Sequence, residues 1–149
     1  MDYAGLLALT FTLPYEWASP DVVVAELGGP LGEKVKKHGL QVLSGAPPPA
    51  EKWEELRKQY RHPSDADLYA LWWAVNYRWG LLTGDWELRQ AAKAQGLEVH
   101  GVLWILDQLV ATERLCPLAA ARALKKMLEG GARLPPEACQ KRLQQWERA

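Results

Sequence analysis

The chain has 149 residues, 48% of them apolar and 24% charged, which is enough for one domain with a real core and too few for two comfortable ones. Lys and Arg (18) balance Asp and Glu (18), which excludes a protein that holds nucleic acid by bulk charge alone. No apolar run approaches the roughly 20 residues of a membrane helix and Met1-Asp2-Tyr3-Ala4 carries no basic lead, so the expectation is a single soluble, cytoplasmic domain over residues 1–149.

Tyr3 to Leu13 has apolar side chains at helical spacing and meets Pro14, which predicts a helix followed by a short strand at Tyr15 to Ala18. Ser19-Pro20-Asp21 reads as a capped helix start, with Val22 to Leu27 as the apolar face and Gly28-Gly29 as the stop. A second short helix over Leu31 to His38 follows. Leu40 to Leu43 reads as a strand that leaves into the loop bearing Pro47 to Pro49. Helices are predicted over Ala50 to Tyr60 and Ser64 to Trp79, a strand over Gly80 to Thr83, a helix over Asp85 to Gln95 and a strand over Leu97 to His100. Short apolar strands alternating with amphipathic helices indicate an α/β fold with a parallel sheet covered on both faces. The last third, Val102 to Glu113, Pro117 to Glu129 and Pro135 to Glu147, is helical throughout.

Cys116 and Cys139 have no second ligand at metal spacing, which excludes a disulfide framework or zinc site and predicts two buried, inert thiols. No Gly-rich phosphate loop and no nucleophile elbow is present. Eight tryptophans beside one phenylalanine show no common repeat, and core filling is their default role. Trp86, next to Asp85, could stack on a base or pack.

Ligands of open parallel sheets bind beyond the carboxyl ends of the strands. Three acids occupy that kind of position: Glu26 in the helix after the Tyr15 strand, Asp67 in the first turn after Ser64, and Asp85 directly after the Gly80 strand. Asp85 has a bland reading as a helix cap, and Asp67 one as the complement of a helix dipole at the third position of a capping box. Glu26 shares its helix with Val22, Val23 and Leu27 and is expected on the face that meets the sheet, where an unpaired carboxylate is costly. Asp67 shares its line with Ala70, Leu71 and Ala74. Inward carboxylates repel one another unless a cation sits among them, and oxygen ligands without His or Cys favour Mg2+ or Mn2+.

The run Leu13-Pro14-Tyr15, Ser19-Pro20-Asp21-Val22-Val23, Glu26-Leu27, then Pro63 to Leu71, then Leu81-Leu82-Thr83-Gly84-Asp85-Trp86 to Ala92, resembles a PIN domain, most of all the bacterial toxin ribonucleases of VapC kind. The likeness continues through Gly96 to Gly101 and reaches about Glu113, leaving a helical C-terminal extension from about residue 114. It implies a three-layer α/β/α sandwich with a short parallel sheet. It also implies a magnesium-dependent ribonuclease in which Glu26, Asp67 and Asp85 are catalytic metal ligands, Asp65 is a second choice two residues from Asp67, and Thr83 supplies a supporting hydroxyl. Metal-activated water would attack an RNA phosphodiester. RNA as substrate, an antitoxin protein and a second copy of the chain are the implied partners. Asp107, within a long helix, reads as a solvated charge. The sequence departs from the family in lacking its first buried strand and first catalytic aspartate, for which Asp2 is a poor substitute. That strand lies mid-sheet in the family, so two edges would be left unpaired. Activity would then require the aspartate from upstream of Met1 or from another chain. The alternative is an inactive, truncated PIN-like scaffold serving protein interaction or dimerisation, and a third is an unrelated flavodoxin-like binding module.

Overall fold

A computed structural model describes residues 3–45 and 47–148. Asp2 lies outside the described residues. The described residues pack as two compact units, 15–101, and 3–14 together with 102–148.

The unit Tyr15–Gly101 begins with strand β1 (Ala18–Pro20), three residues later than the expected start. The expected strand residue Tyr15 is exposed instead. Proline ends β1 without harm, because residues alternate in bonding direction along a strand. The N–H of Gln41 donates to the Trp17 carbonyl, so Trp17 and Ser19 face the neighbouring strand while Pro20, which has no N–H, faces away. Helix α2 (Asp21–Leu27) follows, with Pro20 at its cap position and no side-chain cap; the Ser19 hydroxyl donates to the Pro20 carbonyl rather than capping the helix. Gly28, at φ 75°, stops α2 and starts α3 (Gly29–Lys37) two residues earlier than expected. Strand β2 (Gln41–Leu43) runs parallel to β1, with Ser19 opposite Val42.

Helix α4 (Ala50–Gln59) and the central helix α5 (Asp65–Tyr77) come next. Ser64 caps α5 as its sequence requires, its Oγ accepting from the Asp67 N–H at 3.1 Å. Strands β3 (Leu81–Leu82) and β4 (Val99–His100) are parallel and flank helix α6 (Trp86–Ala94). The ladder between them runs past the strand ends, with Leu81 donating to Glu98 and Thr83 to His100. The expected single sheet is thus two two-stranded parallel ribbons, β1-β2 and β3-β4, with α5 packed on β1 and on β3. Leu68, Leu71, Leu81, Leu88, Ala91 and Ala92 form the core between α5, β3 and α6, and Trp53 and Leu56 of α4 pack against it. Mixed helices with short parallel strands make this an α/β fold.

The second unit is helical. It comprises α1 (Tyr3–Thr10), α7 (Val102–Ala111), α8 (Pro117–Glu129) and α9 (Pro136–Arg148), around Leu106, Leu109, Leu124 and Trp146. Asp107 is not a solvated charge: Arg142 of α9 grips it with two parallel bonds, Nε to Oδ1 at 2.9 Å and Nη2 to Oδ2 at 2.7 Å. This carboxylate holds the Arg142 guanidinium above its ordinary pKa, against the opposing effect of burial. Among the described residues no helix is long and apolar enough to cross a membrane.

The two cysteines differ, contrary to the expectation that both are buried. Cys116 is exposed just before α8, whereas Cys139 is 3% exposed in α9. Burial raises the Cys139 thiol above its ordinary pKa, with Arg142 pulling weakly the other way. Since the thiolate is the reactive form, a thiol reagent such as dithionitrobenzoate should modify one thiol quickly in the native protein and the second only after denaturant is added. Cys116→Ser should remove the fast phase. Two fast thiols in the native wild type would contradict this arrangement.

Candidate functional site

The loop leaving β3 is built by its own side chains. Thr83 Oγ1 accepts from the Asp85 N–H at 3.2 Å, and Asp85 Oδ1 accepts from the Leu88 N–H at 3.1 Å. Asp85 is therefore the cap of α6, with one carboxylate oxygen committed to the helix and the other left over. Thr83 tightens the turn that presents it. Arg89, one turn on, sends its guanidinium back to the Thr83 carbonyl at 3.3 Å. It lies against Gly101, where a Cβ would stand 2.7 Å from Nη1, so glycine there makes room for the arginine. A positive charge thus sits at the carboxyl ends of β3 and β4, beside the loop carrying Asp85. Composition and spacing give no sign of Arg89, because its role depends on the absent side chain at Gly101.

Asp67 occupies the third position of α5, between the buried Ala66 and the fully buried Leu68. Its backbone N–H is taken by Ser64, and its carboxylate makes no hydrogen bond or ion pair among the described residues. Asp65 is held elsewhere: Arg57 Nε lies 3.2 Å from its Oδ1, and the same guanidinium donates to the carbonyls of Pro63 at 2.7 Å and Tyr60 at 3.3 Å. Arg57 of α4 therefore pins the turn into α5 and neutralises Asp65, a role not readable from its position in α4. Between Asp67 and Asp65, only the former is left with an uncommitted carboxylate.

His62, in that same turn, has Nδ1 3.9 Å from Glu87 Oε1 in the first turn of α6. The turn into α5 and the start of α6 are thereby neighbours, and these two helix starts bear Asp67 and Asp85. Both termini favour negative charge through their unpaired N–H groups. Glu26 is different. It is exposed on α2, whose buried residue is Val24, while Val22 and Leu27 keep 39% and 42% of their surface. The expected inward face is misphased: two residues from Val24 at about 100° each turn Glu26 to the far side of the helix.

Hard oxygen donors without His or Cys suit a divalent ion such as magnesium in kind. They do not suit it in number, because among the described residues no group of three or more His, Cys, Asp or Glu side chains is placed to hold one ion. Trp86, adjacent to Asp85, keeps 71% of its surface exposed, so packing does not explain it. A family model described as a PIN domain matches residues 2–148 of the chain. No curated protein and no solved structure matches it.

Proposed function

Because the chain belongs to the PIN domain family, a nuclease fold whose members typically use divalent metals, we propose that it is a magnesium-dependent ribonuclease of the toxin type. The observation that supports this reading is the approach of His62, in the turn before α5, to Glu87 in the first turn of α6, the two helices whose starts bear Asp67 and Asp85. Asp85 directly follows the carboxyl end of β3, where a parallel sheet receives its ligand. Asp67 and Asp85 are the leading carboxylates of this proposal, while Glu26, the third acid the family resemblance implies, faces outward on α2. A complete site needs a further oxygen donor beside these.

The roles of the other groups follow from chemistry. Arg89 is the cation closest along the chain to Asp85 and is suited to steer a phosphate toward it. The open indole of Trp86 is suited to stack on a base flanking the cleaved bond. An antitoxin-like protein partner, a homodimer and a cytoplasmic location belong to this same proposal.

The incomplete carboxylate set favours a second reading, an inactive PIN scaffold that serves protein interaction or dimerisation. Incubating the purified chain with structured RNA, with magnesium or with chelator, separates the two. Metal-dependent cleavage that falls on Asp67→Asn supports the nuclease. No cleavage under either condition, with no magnesium uptake by calorimetry, leaves the scaffold.

A further inference from the structure

The end of α5 far from Asp67 carries an aromatic ladder. Trp73 and Tyr77, one helical turn apart, stack with ring planes 3° apart and centroids at 5.3 Å. Tyr77 stacks in turn on Trp79, at 28° and 5.0 Å, while Trp72 meets Trp73 edge to face. Arg78 makes the third ring possible. It ends α5 in the left-handed conformation, φ 56° and ψ 41°, and both its own N–H and that of Trp79 donate to the Ala74 carbonyl. Such a cap is usually glycine, and it folds Trp79 back over Tyr77.

These rings do not fill the core. Tyr77 keeps 50% of its surface and Trp79 38%, and Arg78 between them is exposed, with no side-chain hydrogen bond or ion pair among the described residues. Trp79 ends the ladder. A part-exposed ring at the end of a stack, beside an unpaired guanidinium, complements an unpaired base with its phosphate, since every base has a face to stack and every linkage a negative charge. Glu98, just before β4, has its Oε2 3.6 Å from His100 Nε2.

We propose that Tyr77, Arg78 and Trp79 form a second docking point for single-stranded RNA, a base adding to the ladder at Trp79 and Arg78 pairing with the adjoining phosphate. The proposal rests on the ribonuclease reading for its substrate and extends it in space. From Asp67 to Tyr77 the helix rises about 15 Å at ~1.5 Å per residue, a distance that takes several nucleotides of single strand to cover. RNA that reaches both ends must be longer than that, which makes binding depend on length.

Fluorescence anisotropy of labelled single strands of about 12 and about 3 nucleotides, in chelator so that no cleavage occurs, tests this. The wild type should bind the longer strand about ten- to a hundredfold more tightly, the range carried by one stacked base. Tyr77→Ala/Trp79→Ala should reduce that preference severalfold or more, Arg78→Ala should lower it and flatten the salt dependence, and Trp79→Tyr should retain it. Circular dichroism confirms that each variant is folded. Unchanged binding of the longer strand by the folded double variant overturns the proposal, as does a wild type without the length preference. So does a dimer, seen by sedimentation, that the double variant turns to monomer with RNA affinity intact, since the rings would then serve a second copy. Failure of metal-dependent cleavage with the length preference preserved would sink the nuclease reading alone.

Discussion

Asp85→Asn should lower magnesium-dependent RNA cleavage by roughly a hundredfold or more, at least what removing a group that merely supports a metal ligand costs. The substitution isolates charge from structure. Asparagine caps a helix about as well as aspartate, so the bond to the Leu88 N–H survives and the thermal midpoint should move little. Asp85→Ala serves as the contrast: it removes both roles, and the lost cap adds about 1 kcal/mol of destabilisation. Cleavage assays paired with thermal melts of the two variants give the answer. Equal cleavage by Asp85→Asn and wild type would reject Asp85 as a site residue while leaving it as the cap of α6.

Leu68→Ala should destabilise the protein by about 2–5 kcal/mol, because the removed carbons leave a cavity that a packed core closes only in part. Leu68 is 0% exposed and packs with Leu71, Leu88 and Ala92 where α5 meets α6. It also directly follows Asp67, so the cavity loosens the backbone that holds this carboxylate, and cleavage should fall along with stability. Leu118→Ala is the control. At 49% exposed in α8 it should stay within about 0.5 kcal/mol of the wild type, as surface changes usually do. Urea titrations followed by circular dichroism would show both. A Leu68→Ala midpoint equal to that of Leu118→Ala would contradict the core described for this unit.

Punctuation residues make much of the chain legible in advance. Ser64 and Asp85 act as the caps their spacing announces, Gly28 breaks the helix where expected, and α8 runs from Pro117 to Glu129 as its pattern predicts. These are local effects, settled by neighbours along the chain. What escapes the sequence is non-local. Seven residues of α2 give fewer than two full turns, too few to fix its phase, and Glu26 faces outward with its neighbours Val22 and Leu27 rather than toward the sheet. Asp107 and Arg142 lie 35 residues apart, so their pairing has no signature in sequence. A helix read through to Trp79 conceals the left-handed turn at Arg78, and with it the stacking of Trp79 on Tyr77. Arg57 escapes notice because the carbonyls it gathers belong to a turn, whose path only folding defines.

The division of the strands into β1-β2 and β3-β4 changes how the Tyr15–Gly101 unit comes apart. A continuous sheet transmits strain from strand to strand, so fraying at one margin is felt at the other. Among the described residues no hydrogen-bonded ladder joins the ribbons, so amide exchange should show each opening as a cooperative unit of its own. Helix α5 packs on both β1 and β3 and is the element they share, so its amides should be the last of this unit to exchange.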